Sequence, residues 1–174
     1  ASRNASDAVS MLQSAEGGLQ SITDNLQRIR ELAVQAASDS ITDTDRGYLN
    51  TEVTQLVTEI NRVADTTKYN GTTLLDGTYR TTGLTFQVGA DNSADDRMTV
   101  TIADFNTIRL GETNTGAANA ASSDGVDTLS VSSQGNAQTA IDIVDRALDD
   151  VNSGRASMGA FQSRFESVVS NLNL

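Results

Sequence analysis

Residues 5–36 read ASDAVSMLQSAEGGLQSITDNLQRIRELAVQA, and two interleaved heptad series run through them. Ala5, Leu12, Leu19, Leu26 and Ala33 hold one seam position, while Ala8, Ala15, Ile22, Ile29 and Ala36 hold the other. A three-four alternation sustained over five heptads keeps one stripe of a helix against a partner helix, so the stretch predicts a long coiled-coil-like helix over residues 2–37. Gly17 and Gly18 weaken it by about 1 kcal/mol each relative to Ala. At about 1.5 Å per residue, such a helix reaches on the order of 50 Å, longer than most small globular domains can cover.

Working outward, the polar stretch 38–45 breaks that helix, and a second is expected over residues 44–66. It carries Leu49, Val53, Leu56, Ile60 and Val63 at alternating spacings of four and three, with Thr42 or Thr44 as the N-terminal cap. The short connection favours an antiparallel neighbour. From residue 68 to 77 the chain changes to turn chemistry, with Asn70-Gly71 and Asp76-Gly77 bracketing Leu74 and Leu75. Two alternating runs follow, Leu84, Phe86, Val88 and then Met98, Val100, Ile102, which predict a β-hairpin with one apolar face.

Residues 106–135 are rich in Gly, Ala, Ser, Thr and Asn and read as a surface excursion or linker, a composition compatible with packing on the rod or with mobility. A last helix over residues 136–172 places Val144, Val151, Met158, Phe165 and Leu172 at seven-residue spacing, flanked by Ala140, Ala147, Gly154, Phe161 and Val168. Gly154 and Gly159 lower its intrinsic helicity, so their presence points to either a close approach of another backbone or a local adjustment. The expected fold is mainly α: an elongated bundle of long antiparallel coiled-coil-like helices with a β-hairpin. Its parts are the first two helices (1–66), the turn region and hairpin (67–105), the excursion (106–135) and the returning helix (136–174). The packing seam is assigned to Leu12, Leu19, Ile22, Leu26 and Ile29, facing Val144, Val151, Met158 and Phe165.

Composition agrees with a rod. Aromatic residues make up 4% of the 174 positions and Trp is absent, which disfavours a thick globular core. Twelve basic against twenty-three acidic residues give a formal net charge of -11, which repels phosphate backbones and anionic lipid, so neither nucleic acid nor membrane is an expected partner. Cys and His are absent, which removes the usual zinc ligands and the commonest general base. No Gly-rich phosphate loop or nucleophile elbow occurs, and the acidic groups around Asp43 and Asp91 do not match a calcium loop. No enzyme activity and no cofactor are expected. No apolar run nears the roughly 20 residues that span a bilayer, and no signal-peptide pattern opens the chain. Both ends read as continuing helix.

The segment QRIRELAV, residues 27–34, is the most informative surface stretch. Leu32 lies off the main seam, one helical turn from Arg28. It reads either as an exposed anchor for a partner or as a residue covered by the second helix.

Residues 26–36, LQRIRELAVQA, and 64–77, ADTTKYNGTTLLDG, closely resemble the N-terminal conserved region of bacterial flagellin, the filament subunit. SRNASDAVSMLQSAEGGLQ at residues 2–20 is similar to the same region, and SGRASMGAFQSRFESVVSNL at residues 153–172 resembles the returning C-terminal helix. Met158, Phe161 and Tyr69 depart mildly from the residues more usual there. The resemblance implies a rod-domain fragment of a structural, motility protein with its further terminal helices missing, which would not polymerise alone. It implies other flagellin subunits as partners, with export machinery and chaperones serving the full-length protein. The implied location is the extracellular filament, reached without a cleaved signal peptide. It also implies recognition by vertebrate Toll-like receptor 5 through the matching positions Gln27, Arg28, Glu31, Leu32 and Glu52, Leu32 serving as apolar anchor. A hook-filament junction protein shares the same terminal helical logic and is the alternative.

Overall fold

The first helix, α1 (Ser2–Ala36), runs 35 residues and buries both heptad series completely. The computed structural model describes residues 1–113 and 124–172 of the chain. A second helix, α2 (Asp43–Thr66), opens on a capping box. The Thr42 hydroxyl accepts the Asp45 N–H, and the Asp45 carboxylate accepts the Thr42 N–H. The last helix, α3 (Gln134–Leu172), is 39 residues long and starts two residues earlier than the apolar spacing predicts.

Polar clasps fix the directions of packing. Glu16 pairs with Arg155, Arg30 with Asp145, and the Ala37 carbonyl with Gln134, so α3 returns antiparallel along the whole of α1. Arg28 with Glu52, and the Ala36 carbonyl with Arg46, place α2 antiparallel beside the C-terminal half of α1. All the predicted seam residues are buried: Leu12, Leu19, Ile22, Leu26 and Ile29 on α1, and Val144, Val151, Met158 and Phe165 on α3.

The apolar face of α1 is wider than a two-helix seam. Met11, Gly18, Asn25 and Leu32 form a third heptad column, in which Met11 and Leu32 are buried. At Gly18 an added Cβ would stand 2.6 Å from Thr67 Oγ1 and 2.7 Å from Leu75 Cδ1. The glycine therefore lets the end of α2 and the turn beyond it seat directly on α1.

That turn is itself a small hairpin, which the sequence showed only as turn chemistry. Strand β1 (Lys68–Tyr69) pairs with β2 (Thr72–Thr73), leaving Asn70 and Gly71 as a two-residue loop with φ of 50° and 77°. Positive φ at both central positions is the pattern that Asn-Gly satisfies. It delivers Leu75 to the Gly18 notch, and both Leu74 and Leu75 are buried.

The predicted second hairpin forms from β3 (Leu84–Gln87) and β4 (Arg97–Val100), with Leu84 opposite Val100 and Phe86 opposite Met98. It covers the N-terminal half of α1, where the Asn4 side-chain amide donates to the Gln87 carbonyl at 2.9 Å. The Phe86 ring meets Phe165 of α3 edge to face, centroids 5.4 Å apart and planes at 76°.

Residues 106–113 and 124–133 do not behave as a linker; the part of the predicted excursion at 114–123 lies outside the described residues. Leu110, Val126 and Val131 are buried. The segment is tied down by backbone groups, a kind of contact that polar, Gly-rich composition conceals. The Val126 N–H donates to the Leu110 carbonyl, Val131 N–H to Asn50 Oδ1, and Gly111 N–H to Asp150 Oδ2 at 2.8 Å. Just before it, Phe105 projects onto α3 at Gly154, where an added Cβ would fall inside the ring's van der Waals envelope. The close approach at Gly154 is thus a side chain and not a backbone. Gly159 faces open space, with nothing within 4 Å.

The two mid-helix glycines should therefore respond oppositely to alanine. Gly159→Ala should stabilise by up to about 1 kcal/mol through helix propensity alone. Gly154→Ala should lower the melting temperature because the Phe105 ring must move, and a higher melting temperature for both would refute the notch.

Burial holds the Asp150 carboxyl above the usual carboxylate range, against the opposing pull of the Gly111 N–H. A folded pKa above the unfolded one means that its protonated form favours the fold. That contribution is complete below the ordinary carboxylate pKa and is lost as pH rises through the raised value. Asp150→Asn, which keeps the acceptor for Gly111, should consequently melt no lower than wild type at pH 7 and flatten the pH dependence across that window. A variant clearly less stable at pH 7, with an unchanged pH profile, would contradict this.

Candidate functional site

The helix pairing brings four of the five residues expected to meet a receptor onto one exposed surface. Gln27, Arg28 and Glu31 lie on α1, and Glu52 reaches across from α2. Gln27, Arg28 and Glu31 share a face because steps of three and four residues return to the same side of a helix. Arg28 is the hub: its Nη1 donates to Glu31 Oε2 at 3.1 Å, and its Nη2 donates to both Glu52 oxygens at 3.2 and 3.0 Å. These hydrogen bonds, from Glu31 first and then Glu52, raise the guanidinium pKa above its ordinary value. All three side chains are well exposed, so the triad orients Arg28 while contributing little to fold stability.

Leu32 is a correction. It is 1% exposed, so it is not the apolar anchor that the resemblance implied. It sits one turn beyond Arg28 in the third column of α1, on the side that α2 covers. The column is hard to recognise in sequence because Gly18 and Asn25 interrupt it. Removing Leu32 would create a cavity in the α1–α2 packing and leave the surface without a direct change of contact.

Beside Gln27 and Glu31, on the flank turned toward α3, lie residues that sequence reasoning passed over. Arg30 donates through Nε to Asp145 Oδ1 of α3 at 2.8 Å and through Nη2 to Oδ2 at 3.4 Å. The Asp145 hydrogen bonds raise the Arg30 pKa above its ordinary value. Gln27, Arg30, Glu31 and Val34 line a shallow depression, and Val34 is 49% exposed. The signal available in sequence was the recurrence 27, 30, 31, 34, a polar helical stripe ending in an aliphatic residue. On α2, Tyr48 is 73% exposed one turn before Glu52.

Chemically, the surface offers a planar donor fork held between carboxylates, with exposed apolar area nearby at Val34 and Tyr48. Among the described residues no group of three or more acidic side chains is placed to hold a metal ion. No described helix is long and apolar enough to cross a membrane.

Comparison with known proteins accords with this architecture. Residues 1–80 match the bacterial flagellin N-terminal helical region, and residues 141–174 match the bacterial flagellin C-terminal helical region. Flagellin of Halalkalibacterium halodurans is 39% identical over 173 residues, covering 99% of this chain and 58% of that protein. Flagellin FlaB1 of Treponema pallidum is 38% identical over 184 residues, covering 100% and 60%. The chain thus spans about three-fifths of the length of these relatives. The crystal structure of Bacillus cereus flagellin superposes with a TM-score of 0.77 at 29% identity, covering 98% of this chain and 89% of that one. Paired matches at the two ends of the chain, sequence identity along nearly all of it and a shared long-helix fold converge: the chain belongs to the bacterial flagellin family.

Proposed function

We propose that this chain is the rod of a bacterial flagellar filament subunit, and that the exposed surface around Arg28 is a ligand for Toll-like receptor 5. Family membership supports the filament reading, together with a 35-residue helix and a 39-residue helix that bury each other lengthwise. In that reading the partners are other flagellin subunits, the export machinery and its chaperones deliver the complete protein, and the place of action is the filament outside the cell.

One observation carries the receptor reading: Gln27, Arg28, Glu31 and Glu52 form a single exposed patch in which the Arg28 fork is already oriented by two carboxylates. A fork fixed before contact loses less conformational freedom on binding, and buried arginines are common centres of interface energy. Leu32 is buried one turn from Arg28 and contributes core packing rather than contact area.

Binding of the chain, Arg28→Ala and Leu32→Ala to the purified receptor ectodomain, each checked by circular dichroism, tests the assignment. Arg28→Ala should bind about tenfold more weakly or worse while melting like wild type. Leu32→Ala should lose about 2–5 kcal/mol of stability, in line with a buried Leu→Ala change. Equal affinity of wild type and Arg28→Ala would remove Arg28 from the centre of the interface, and no binding by either would leave the filament reading alone.

A further inference from the structure

The 68–73 hairpin carries a chemical liability that neither filament building nor receptor binding uses. Asn70-Gly71 is the one Asn-Gly pair in the sequence. Both residues are exposed, and a Cβ at position 71 would meet nothing within 4 Å. Glycine offers the least hindered backbone nitrogen for attack on a preceding side-chain amide. The positive φ values of 50° and 77°, however, hold the pair in the turn that sets Lys68 opposite Thr73 and Tyr69 opposite Thr72. We infer that Asn70 is a site of spontaneous deamidation gated by opening of this hairpin, and that its isoaspartyl product unseats Leu75 from the Gly18 notch and disturbs the buried Leu74 before it.

The reaction needs only water. The Gly71 backbone nitrogen attacks Asn70 Cγ; an N–Cγ bond forms, the side-chain amide leaves as ammonia with the proton from Gly71, and a five-membered succinimide remains. Water then adds to one of the two ring carbonyls. Breaking the new N–Cγ bond gives aspartate. Breaking the original bond between the Asn70 carbonyl carbon and the Gly71 nitrogen gives isoaspartate, with an extra methylene in the main chain. Nothing is oxidised or reduced.

Geometry sets the gating. Ring closure joins Gly71 N to Asn70 Cγ, which requires rotating Asn70 out of its left-handed turn and so releasing the pairing on either side. The two products then differ in consequence. Aspartate at position 70 still satisfies a two-residue turn, because Asp-Gly and Asn-Gly share that preference. Isoaspartate lengthens the loop by one backbone atom and cannot keep Tyr69 opposite Thr72. Leu74 follows within two residues, its N–H donating to the Thr67 carbonyl at 3.1 Å, and Leu75 rests against Gly18. The damage is therefore transmitted from an exposed loop into the core.

Incubation of the purified chain at mildly alkaline pH, native and in denaturant, with peptide mapping that separates Asp from isoAsp, tests both halves. Asn70 should convert ahead of every other asparagine in denaturant and at least several-fold more slowly in the native chain. The isolated isoaspartyl form should melt at lower temperature than Asn70→Asp, which should itself match wild type. Conversion no faster than at the other asparagines would overturn the site. Equal native and denatured rates would overturn the gating, and an isoaspartyl form as stable as Asn70→Asp would overturn its reach into the core.

Discussion

The fold is organised around covering α1, against which α3, α2 and the hairpins pack. A helix of 35 residues with an apolar stripe along its whole length cannot be satisfied by one short neighbour, because about 1.5 Å of new surface is added per residue. α3 covers one side from end to end. The other side is shared: α2 over the C-terminal half, and the two hairpins over the N-terminal half, meeting at Gly18. The hairpins are thus packing pieces that continue α2 where α2 stops, and the small sheet content follows from that need.

Heptad spacing made the long helices legible, since a period near 3.5 over five heptads has few alternative readings. The β3–β4 hairpin was legible for the same reason, through strict alternation of Leu84, Phe86 and Val88 against Met98, Val100 and Ile102. What escaped was packing built without periodicity. Leu32 belongs to a column broken by Gly18 and Asn25, so its burial cannot be read from spacing alone. The segments 106–113 and 124–133 hold on through Asn50, Asn61 and Asp150 accepting backbone N–H groups, which leaves a polar sequence with a packed structure. Gly154 was readable as unusual; that an aromatic ring 49 residues earlier fills the notch was not.

The surface around Arg28 was legible only in part. Its polar members appear from helical spacing and resemblance, whereas the link to Glu52 depends on the register of α1 against α2. Arg30 and Val34 line a depression beside Gln27 and Glu31 on the flank toward α3, although no motif distinguished them. Charge works here at short range. The chain is strongly acidic overall, yet the cations that matter are each tied to one or two carboxylates.

Arg46 gives the bundle a direction. Its buried guanidinium donates to the Ala36 and Ser38 carbonyls at the C-terminal end of α1, each at 2.7 Å, and to Asp43 at 2.7 Å; Gln134 of α3 adds a bond to the Ala37 carbonyl. All three helices are thereby riveted at one end. Ser2 and Leu172 lie at the other, because α1 and α3 run antiparallel. Tension applied across those two residues would load the seam in peeling geometry, parting it turn by turn toward the rivet. The same helices pulled from opposite ends would be loaded in shear, with every heptad layer resisting at once.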